Sequence, residues 1–363
     1  GSGNIIPNSG CGAWLFEPQS TNLITYSEDF SNASWSKANV SVVSNNYISP
    51  DGTTNADKII DDTTNNIHRI QDTVSTLNSG NHTYSIFLKK GTLTTAYFQV
   101  FNSGTASAAN VDLENGTITS AGVGFNHKIE DYGNDWYRCS ISFVSTNTAT
   151  TVYLYLKQST AYVGTGEYLY AWGAQLEQQS YATSYIPTEG TIKTRNQDLC
   201  TNGGDASLIN STEGVLYVEI AALADDGTNK RLTINQNTTN RIGIEFNTSG
   251  QLRFTVRIGA SFAVSAVFTT DITVNNKIAF KYKSGDCSFY LNGVNIGNAT
   301  GAFAFAVGQL SKLDFSDGGN IEMFGKTKAL GVWKEALTDL ELEALTSWRS
   351  FTAMANSLNY NII

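Results

Sequence analysis

Residues able to do covalent chemistry are sparse and scattered in this sequence. His68, His82 and His127 are the only imidazoles that could serve as a general base or a soft metal ligand. His68 follows Asn65-Asn66 ahead of a strand-like run, His82 stands in the turn NSGNH, and His127 lies between Asn126 and Lys128. All three read as surface polar residues and not as the base of a Ser-His-Asp or Cys-His arrangement. Hydrolysis of a glycosidic bond needs two carboxylates at a set separation, which a strand supplies at alternate positions on one face. Asp61-Asp62 and Asp225-Asp226 are adjacent pairs instead, and read as solvated turns. There is no G-x-S-x-G elbow, phosphate loop or dinucleotide fingerprint. No catalytic residue is assigned. A lyase acting through Tyr, Lys or Arg leaves no linear signature and stands as the lesser alternative.

The four cysteines, Cys11, Cys139, Cys200 and Cys287, include no C-x-x-C pair, which removes the usual zinc patterns. Cys139 in WYRCSISF and Cys287 in CSFYLNG sit in strand-like runs and read as small buried thiols. Cys11 and Cys200 flank the first half of the chain, and whether they pair is left open.

Binding chemistry is better supplied. In Thr151 to Lys157 the alternation separates Val152, Leu154 and Leu156 from Tyr153, Tyr155 and Lys157. Thr95 to Phe101 sets Tyr97, Gln99 and Phe101 in the same alternation. An aromatic ring can cover the apolar face of a pyranose while Gln and Lys meet its hydroxyls. These six residues are the candidate glycan-binding site. The same rings would also suit a core edge, and Trp136, Trp172 and Trp333 read as packing residues.

Such faces need strands to carry them, and the sequence supplies strands throughout. Short alternating runs recur at Thr83 to Lys89, Thr95 to Phe101, Tyr137 to Val144, Thr151 to Lys157 and Glu167 to Leu176, separated by turns such as SPDGTTN and ENGT. Only Ala56 to Ile60 resembles a short helical turn. The stretch TEGTIKTRNQDLCTNGGD (188 to 205) loses the alternation and reads as a linker. Strands resume at Gly214 to Ile220, Arg231 to Asn235, Arg241 to Phe246, Leu252 to Ile258, Lys277 to Tyr282 and Ser288 to Leu291. Asn292-Gly293 marks a tight hairpin because both residues tolerate positive φ. From Thr338, TDLELEALTSW has a capping threonine, early acidic residues and leucines at 340, 342 and 345, the marks of one short C-terminal helix.

Length and composition agree. A chain of 363 residues exceeds what one core usually organises, so two domains are expected, 1–200 and 201–363. Charged residues make up 15% of the chain, and the Asn, Thr, Ser and Gly that replace them favour sheets and turns. The fold class read from this is all-β: two consecutive antiparallel β-sandwiches of jelly-roll type with a C-terminal helix. A net charge of −9 without a basic stripe excludes nucleic acid as a partner. No window is long and apolar enough to span a membrane, so no membrane insertion is expected. Gly1-Ser2-Gly3 reads as an engineered scar or as the cut end of a longer chain.

Four motifs in order, EPQSTNLITYSEDFSNASW (17 to 35), SPDGTTNADKI (49 to 59), DWYRCSISF (135 to 143) and AWGAQLEQQSYATSYIPTEGT (171 to 191), resemble the carbohydrate-binding-module-like jelly roll of bacteriophage tail and head fibre proteins. KIAFKYKSGDCSFYLNGVNIG (277 to 297) and ALGVWKEALTDLELEALTSW (329 to 348) are similar to laminin-G-like, concanavalin-type domains. The resemblance implies a non-catalytic carbohydrate-binding or adhesion segment on a virion surface or in another extracellular setting. Its partners would be cell-surface polysaccharide and other virion proteins, with threefold association common in such fibres. A purely structural decoration or spacer is the alternative. Such modules often hold a structural calcium ion between the opening and final strands, but Ala171 and Trp172 stand here where those modules carry aspartates.

Overall fold

The computed structural model describes residues 12–75, 77–102, 104–122, 126–146, 149–348 and 353. The described residues fall into two compact units, one formed by residues 19–196 and the other by residues 12–18 together with those from 197 on. The expected first domain of residues 1–200 therefore gives up an early segment. Trp14–Phe16 pairs with Gly325–Trp333, the last strand of the second unit, because that strand offers it an unpaired edge. Cys11 lies outside the described residues, and its pairing with Cys200 with it.

The first unit is a sandwich of two six-stranded antiparallel sheets. One runs Thr117–Ala121, Thr105–Asp112, Thr95–Asn102, Thr150–Leu156, Arg69–Val74, Ser36–Ala38. The other runs Asn126–Asp131, Trp136–Thr146, Ser79–Lys90, Tyr168–Glu177, Ala56–Asp61, Val40–Tyr47. Alternation drives the packing. Phe98, Val100, Val152, Leu154 and Ile70 from the first sheet meet Ile59, Ile86, Leu88, Cys139 and Ile141 from the second in one core. Ala56–Asp61 is thus a strand and not a helical turn. Its Ala56 and Ile59 are buried on opposite faces, and its backbone bonds are taken by strands on both sides.

The second unit packs a six-stranded sheet against one of five strands. The first runs Trp14–Phe16, Gly325–Trp333, Glu213–Ala222, Asn276–Lys283, Cys287–Leu291, Val294–Ala299. The second runs Ser261–Thr269, Gln251–Ile258, Asn240–Phe246, Lys230–Asn237, Lys312–Asp314. Phe254, Phe280 and Phe289 meet at the centre, with ring centroids 4.7 to 5.4 Å apart. Asn292 and Gly293 carry φ of 51° and 88° and close the two-residue hairpin that joins Leu291 to Val294.

The single α-helix among the described residues is Asp339–Thr346. Thr338 caps it in a reciprocal box with Glu341. Leu342 packs against Val215, Tyr217, Ala279 and Tyr290 on the outer side of the six-stranded sheet, whereas Leu340 is 79% exposed. The leucine repeat therefore contributes one fully buried residue and not a continuous stripe.

Candidate functional site

The strands Arg69–Val74, Thr150–Leu156, Thr95–Asn102 and Thr105–Asp112 lie side by side, and their register fixes which outward side chains are neighbours. One row reads Arg69, Tyr155, Tyr97, Asn110. The next reads Gln71, Tyr153, Gln99, Ala108, and a third reads Thr73, Thr151, Phe101, Ala106. The inward partners Ile70, Val152, Leu154, Phe98 and Val100 are at most 1% exposed, so the outward set has no choice of face.

Within this grid the tyrosines touch. Tyr153 and Tyr155 stack at 5.6 Å and 22°, and Tyr97 meets Tyr155 edge-on at 5.4 Å and 80°. Arg69 lies over both stacked rings, its guanidinium carbon 5.2 Å from the Tyr153 centroid and 5.6 Å from that of Tyr155. Nη1 of Arg69 is 3.4 Å from the Tyr155 hydroxyl, while its buried Nε has no hydrogen-bond partner. Burial pushes the Tyr155 hydroxyl above its ordinary value, and Arg69 pulls the other way. Phe101 stays 41% exposed, and the residues paired with Gln99 and Phe101 on Thr105–Asp112 are the alanines 108 and 106.

Five of the six expected residues therefore share one surface, and Lys157 does not. The strand ends at Leu156, and Lys157 takes φ 67°, which breaks the alternation. Its ammonium sits 3.4 Å from Glu167 and 5.4 Å from the centre of the Tyr162 ring. Arg69 is the cation that the face carries instead. The alternation of Arg69, Gln71 and Thr73 could have signalled it, but Asp72 on the inward side interrupts the apolar pattern.

The three rows hold no carboxylate and no imidazole. Carboxylates gather elsewhere in the first unit, in a cleft of about 300 Å³ that includes Glu28, Asn45, Asn55, Asp57 and Glu189. Burial pushes Asp57 up to about 6, although it accepts N–H bonds from Phe30 and Asn45, each at 2.9 Å. Glu28 is also raised by burial, against bonds from the Tyr185 hydroxyl at 3.0 Å and Asn55 Nδ2 at 2.9 Å. The Asn45 bond joins the adjacent strands Val40–Tyr47 and Ala56–Asp61, and the Phe30 bond ties the preceding loop to them.

Three surface readings from the sequence need correction. Asp61 is 3% exposed and gathers the N–H groups of Thr165, Gly166 and Glu167 and the Tyr162 hydroxyl, because the loop it organises has no strand partner for those donors. His68 is fully buried, with Nε2 3.1 Å from Asp62. His82 is 1% exposed and contacts the carbonyl of Gly80. Asp226 is likewise paired, 2.7 Å from the buried Lys230 ammonium.

With this geometry in view, no protein-family model and no curated protein matches the chain. Among solved structures it is similar to the CBM40 of Ruminococcus gnavus IT-sialidase bound to α2,6-sialyllactose, at 15% identity and a TM-score of 0.33 over 40% of this chain and 93% of that one. It is similar to Trypanosoma rangeli sialidase in complex with sialic acid, at 10% identity and a TM-score of 0.31 over 80% of this chain and 60% of that one. Mouse laminin α1 domains LG4-5 give 10% identity and 0.27, over 74% and 86%. Likenesses this distant carry no inference about what this chain does. The all-β assignment stands on the strand pairing itself.

The structural calcium ion of the resembling modules does not fit the residues present. Ala171 is buried in the core and Trp172 packs against Phe87 and Tyr185, and neither side chain carries an oxygen. The nearby Glu177 is already saturated by Ser20, Gln175 and both donors of Thr183 at 2.6 to 2.9 Å. Among the described residues no group of three acidic, histidine or cysteine side chains could hold a metal.

Proposed function

We propose that this chain is a non-catalytic carbohydrate-binding segment that recognises a cell-surface polysaccharide. The observation that carries the reading is the outward grid of the half-buried Tyr97 and Tyr153, backed by Tyr155, which is only 6% exposed, and edged by Gln71, Gln99 and Arg69. Flat rings pack against the apolar face of a sugar, and amides and a guanidinium beside them hydrogen-bond its hydroxyls. The setting proposed is a fibre on a virion or other extracellular surface. Its support is the ordered set of four fibre-like motifs between residues 17 and 191.

The test is binding of the intact chain to a broad microbial glycan array, followed by titration of each hit. Binding is expected, with Tyr153→Ala weakening it at least about tenfold, or about 1.4 kcal/mol. Silence on the array, in assembled and monomeric form, would replace this reading with a structural spacer. Shortening of the glycan during incubation would replace it with an enzyme.

A further inference from the structure

Four of the chain's eight arginines project from one face of a single sheet. In the five-stranded sheet of the second unit, Arg231 stands beside Glu245 and Glu245 beside Arg253. Two residues along each strand, Thr233, Gly243 and Thr255 follow, and then Asn235, Arg241 and Arg257. The alternate residues, among them Leu232, Ile244, Phe254 and Val256, fill the core. Gly243 leaves the centre of the face without a side chain, where a Cβ would meet Thr255 Oγ1 at 2.9 Å and Glu245 Oε1 at 3.2 Å. Arg241 uses that room to reach along its own strand, with Nη2 3.6 Å from Glu245 Oε1.

The positive charge on this face is only partly answered. Glu245 lies 3.3 Å from Arg231, 3.6 Å from Arg241 and 3.9 Å from Arg253, and Asp317 takes Arg231 at 2.8 Å. Asp314, at the far edge, faces Lys312 and Asn235. Arg241 is fully buried; its Nη1 donates to the carbonyl of Thr238, and its Nε and Nη2 have no hydrogen-bond partner among the described residues. Among the described residues Arg257 donates to the carbonyls of Gly259 and Thr238, at 3.2 and 3.4 Å.

Phe262, 41% exposed on the neighbouring strand, holds the two outer guanidiniums together. Its ring centroid is 4.5 Å from the guanidinium carbon of Arg253 and 5.5 Å from that of Arg257. An aromatic ring attracts a cation without neutralising it, so two like charges are held close with one shared carboxylate at 3.9 Å from one of them. Ser265 Oγ accepts from Arg253 Nε and Nη2 at 3.2 and 3.0 Å and fixes that fork. An arriving carboxylate would relieve the repulsion, meeting the terminal nitrogens of the two guanidiniums because Ser265 holds the Nε edge of Arg253 and the carbonyl of Gly259 that of Arg257.

We propose that Arg253 and Arg257, set by Phe262 and Ser265 and backed by the buried Arg241, form a second ligand site whose occupant is a saccharide bearing a carboxylate, such as a uronate. The hydroxyl of Ser265 and the amide of Asn240 beside the pair suit a hydroxylated ring. The net charge of −9 and the carboxylates along the same face oppose a phosphate chain. This site is independent of the tyrosine face.

The intact chain would be titrated with oligogalacturonate and with the same oligomer methyl-esterified, which keeps the rings and removes the charge. The free acid is expected to bind and the ester to bind at least about tenfold more weakly. Arg253→Gln and Arg257→Gln should each cost about tenfold at unchanged melting temperature, Arg257→Lys should recover only part of the loss, and Tyr153→Ala should change nothing. Equal binding of acid and ester, no binding of the acid, or loss of it on Tyr153→Ala would each overturn the proposal. So would an oligonucleotide or heparin that binds as tightly and responds to the same substitutions, since that describes a general polyanion surface.

Discussion

Arg69 and Tyr155 stand opposite each other in the register of two antiparallel strands, and the guanidinium reaches back over the ring it faces, 3.4 Å from the hydroxyl and 5.6 Å from the ring centre. A cation resting on a tyrosine pair is held in place by attraction to the rings while part of its hydrogen-bonding capacity stays unspent. If the face binds glycan, Arg69→Gln should weaken it about three- to tenfold with little loss of stability, whereas Arg69→Lys should restore charge but not the planar stacking. Titration calorimetry on the array hits, with thermal melts alongside, separates the two. Full affinity in Arg69→Gln would remove the guanidinium from the site.

Asp61 invites a sharper test of stability. Its Oδ1 accepts three consecutive backbone N–H groups at 2.7 to 3.2 Å and its Oδ2 the Tyr162 hydroxyl at 2.9 Å. Asp61→Ala leaves those part-buried donors without their shared acceptor and should cost about 2–3 kcal/mol, read as a lower denaturant midpoint. Tyr162→Phe removes only one of the four bonds and should cost about 1 kcal/mol. Equal losses in the two variants would mean that the loop is held by something else.

Asp61 also shows where reading the sequence runs out. Strands with strict alternation, such as Thr150–Leu156 and Leu252 to Ile258, are legible because one face must be apolar, and the hairpin at Asn292-Gly293 is legible because positive φ selects its residues. Ala56–Asp61 hides as a strand because it is buried on both faces and carries a lysine and two aspartates. The strand-like run after His68 is legible as Arg69–Val74, but Asp72 among its inward residues hides which face is the core. A two-residue Asp-Asp run carries no sign of which member is buried, since that depends on a loop a hundred residues away. For the same reason the tyrosines of the candidate face were legible and their cation was not: the tyrosine alternation is local, and the Arg69 pairing is not.

Asp57 predicts a pH dependence. Burial raises it to about 6 from an ordinary 3.8, so between those values the folded chain holds a proton that the unfolded chain has released. A raised carboxyl stabilises below its unfolded value, and that contribution is lost as pH rises through about 6. Glu28, also raised by burial, acts in the same direction. Carboxylates lowered by hydrogen bonds, such as Asp51, act in the opposite one, so the comparison has to be with a variant. Relative to Asp57→Asn, the native chain should lose on the order of 1 kcal/mol of stability between pH 4 and 7, allowing for solvent screening. Parallel stability curves for the two proteins would mean that Asp57 stays ionised when folded.

The closing helix separates two leucines that look equivalent in sequence. Leu340 and Leu342 both belong to the TDLELEALTSW repeat, but Leu340 is 79% exposed and Leu342 is fully buried against Val215, Tyr217, Ala279 and Tyr290. Truncating a buried leucine removes its transfer free energy and leaves a cavity, so Leu342→Ala should cost about 2–4 kcal/mol. At Leu340 no cavity forms, and alanine is at least as good a helix former, so Leu340→Ala should fall within about 0.5 kcal/mol of the native chain. The helix has only eight residues, too few to hold itself in water, so its stability has to come from the sheet beneath. Leu342→Ala should accordingly release the helix as well as lower the melting temperature, read as faster amide exchange across Asp339–Thr346 than in Leu340→Ala. Equal exchange in both variants would mean that the capping box between Thr338 and Glu341, and not the leucine contact, holds the helix in place.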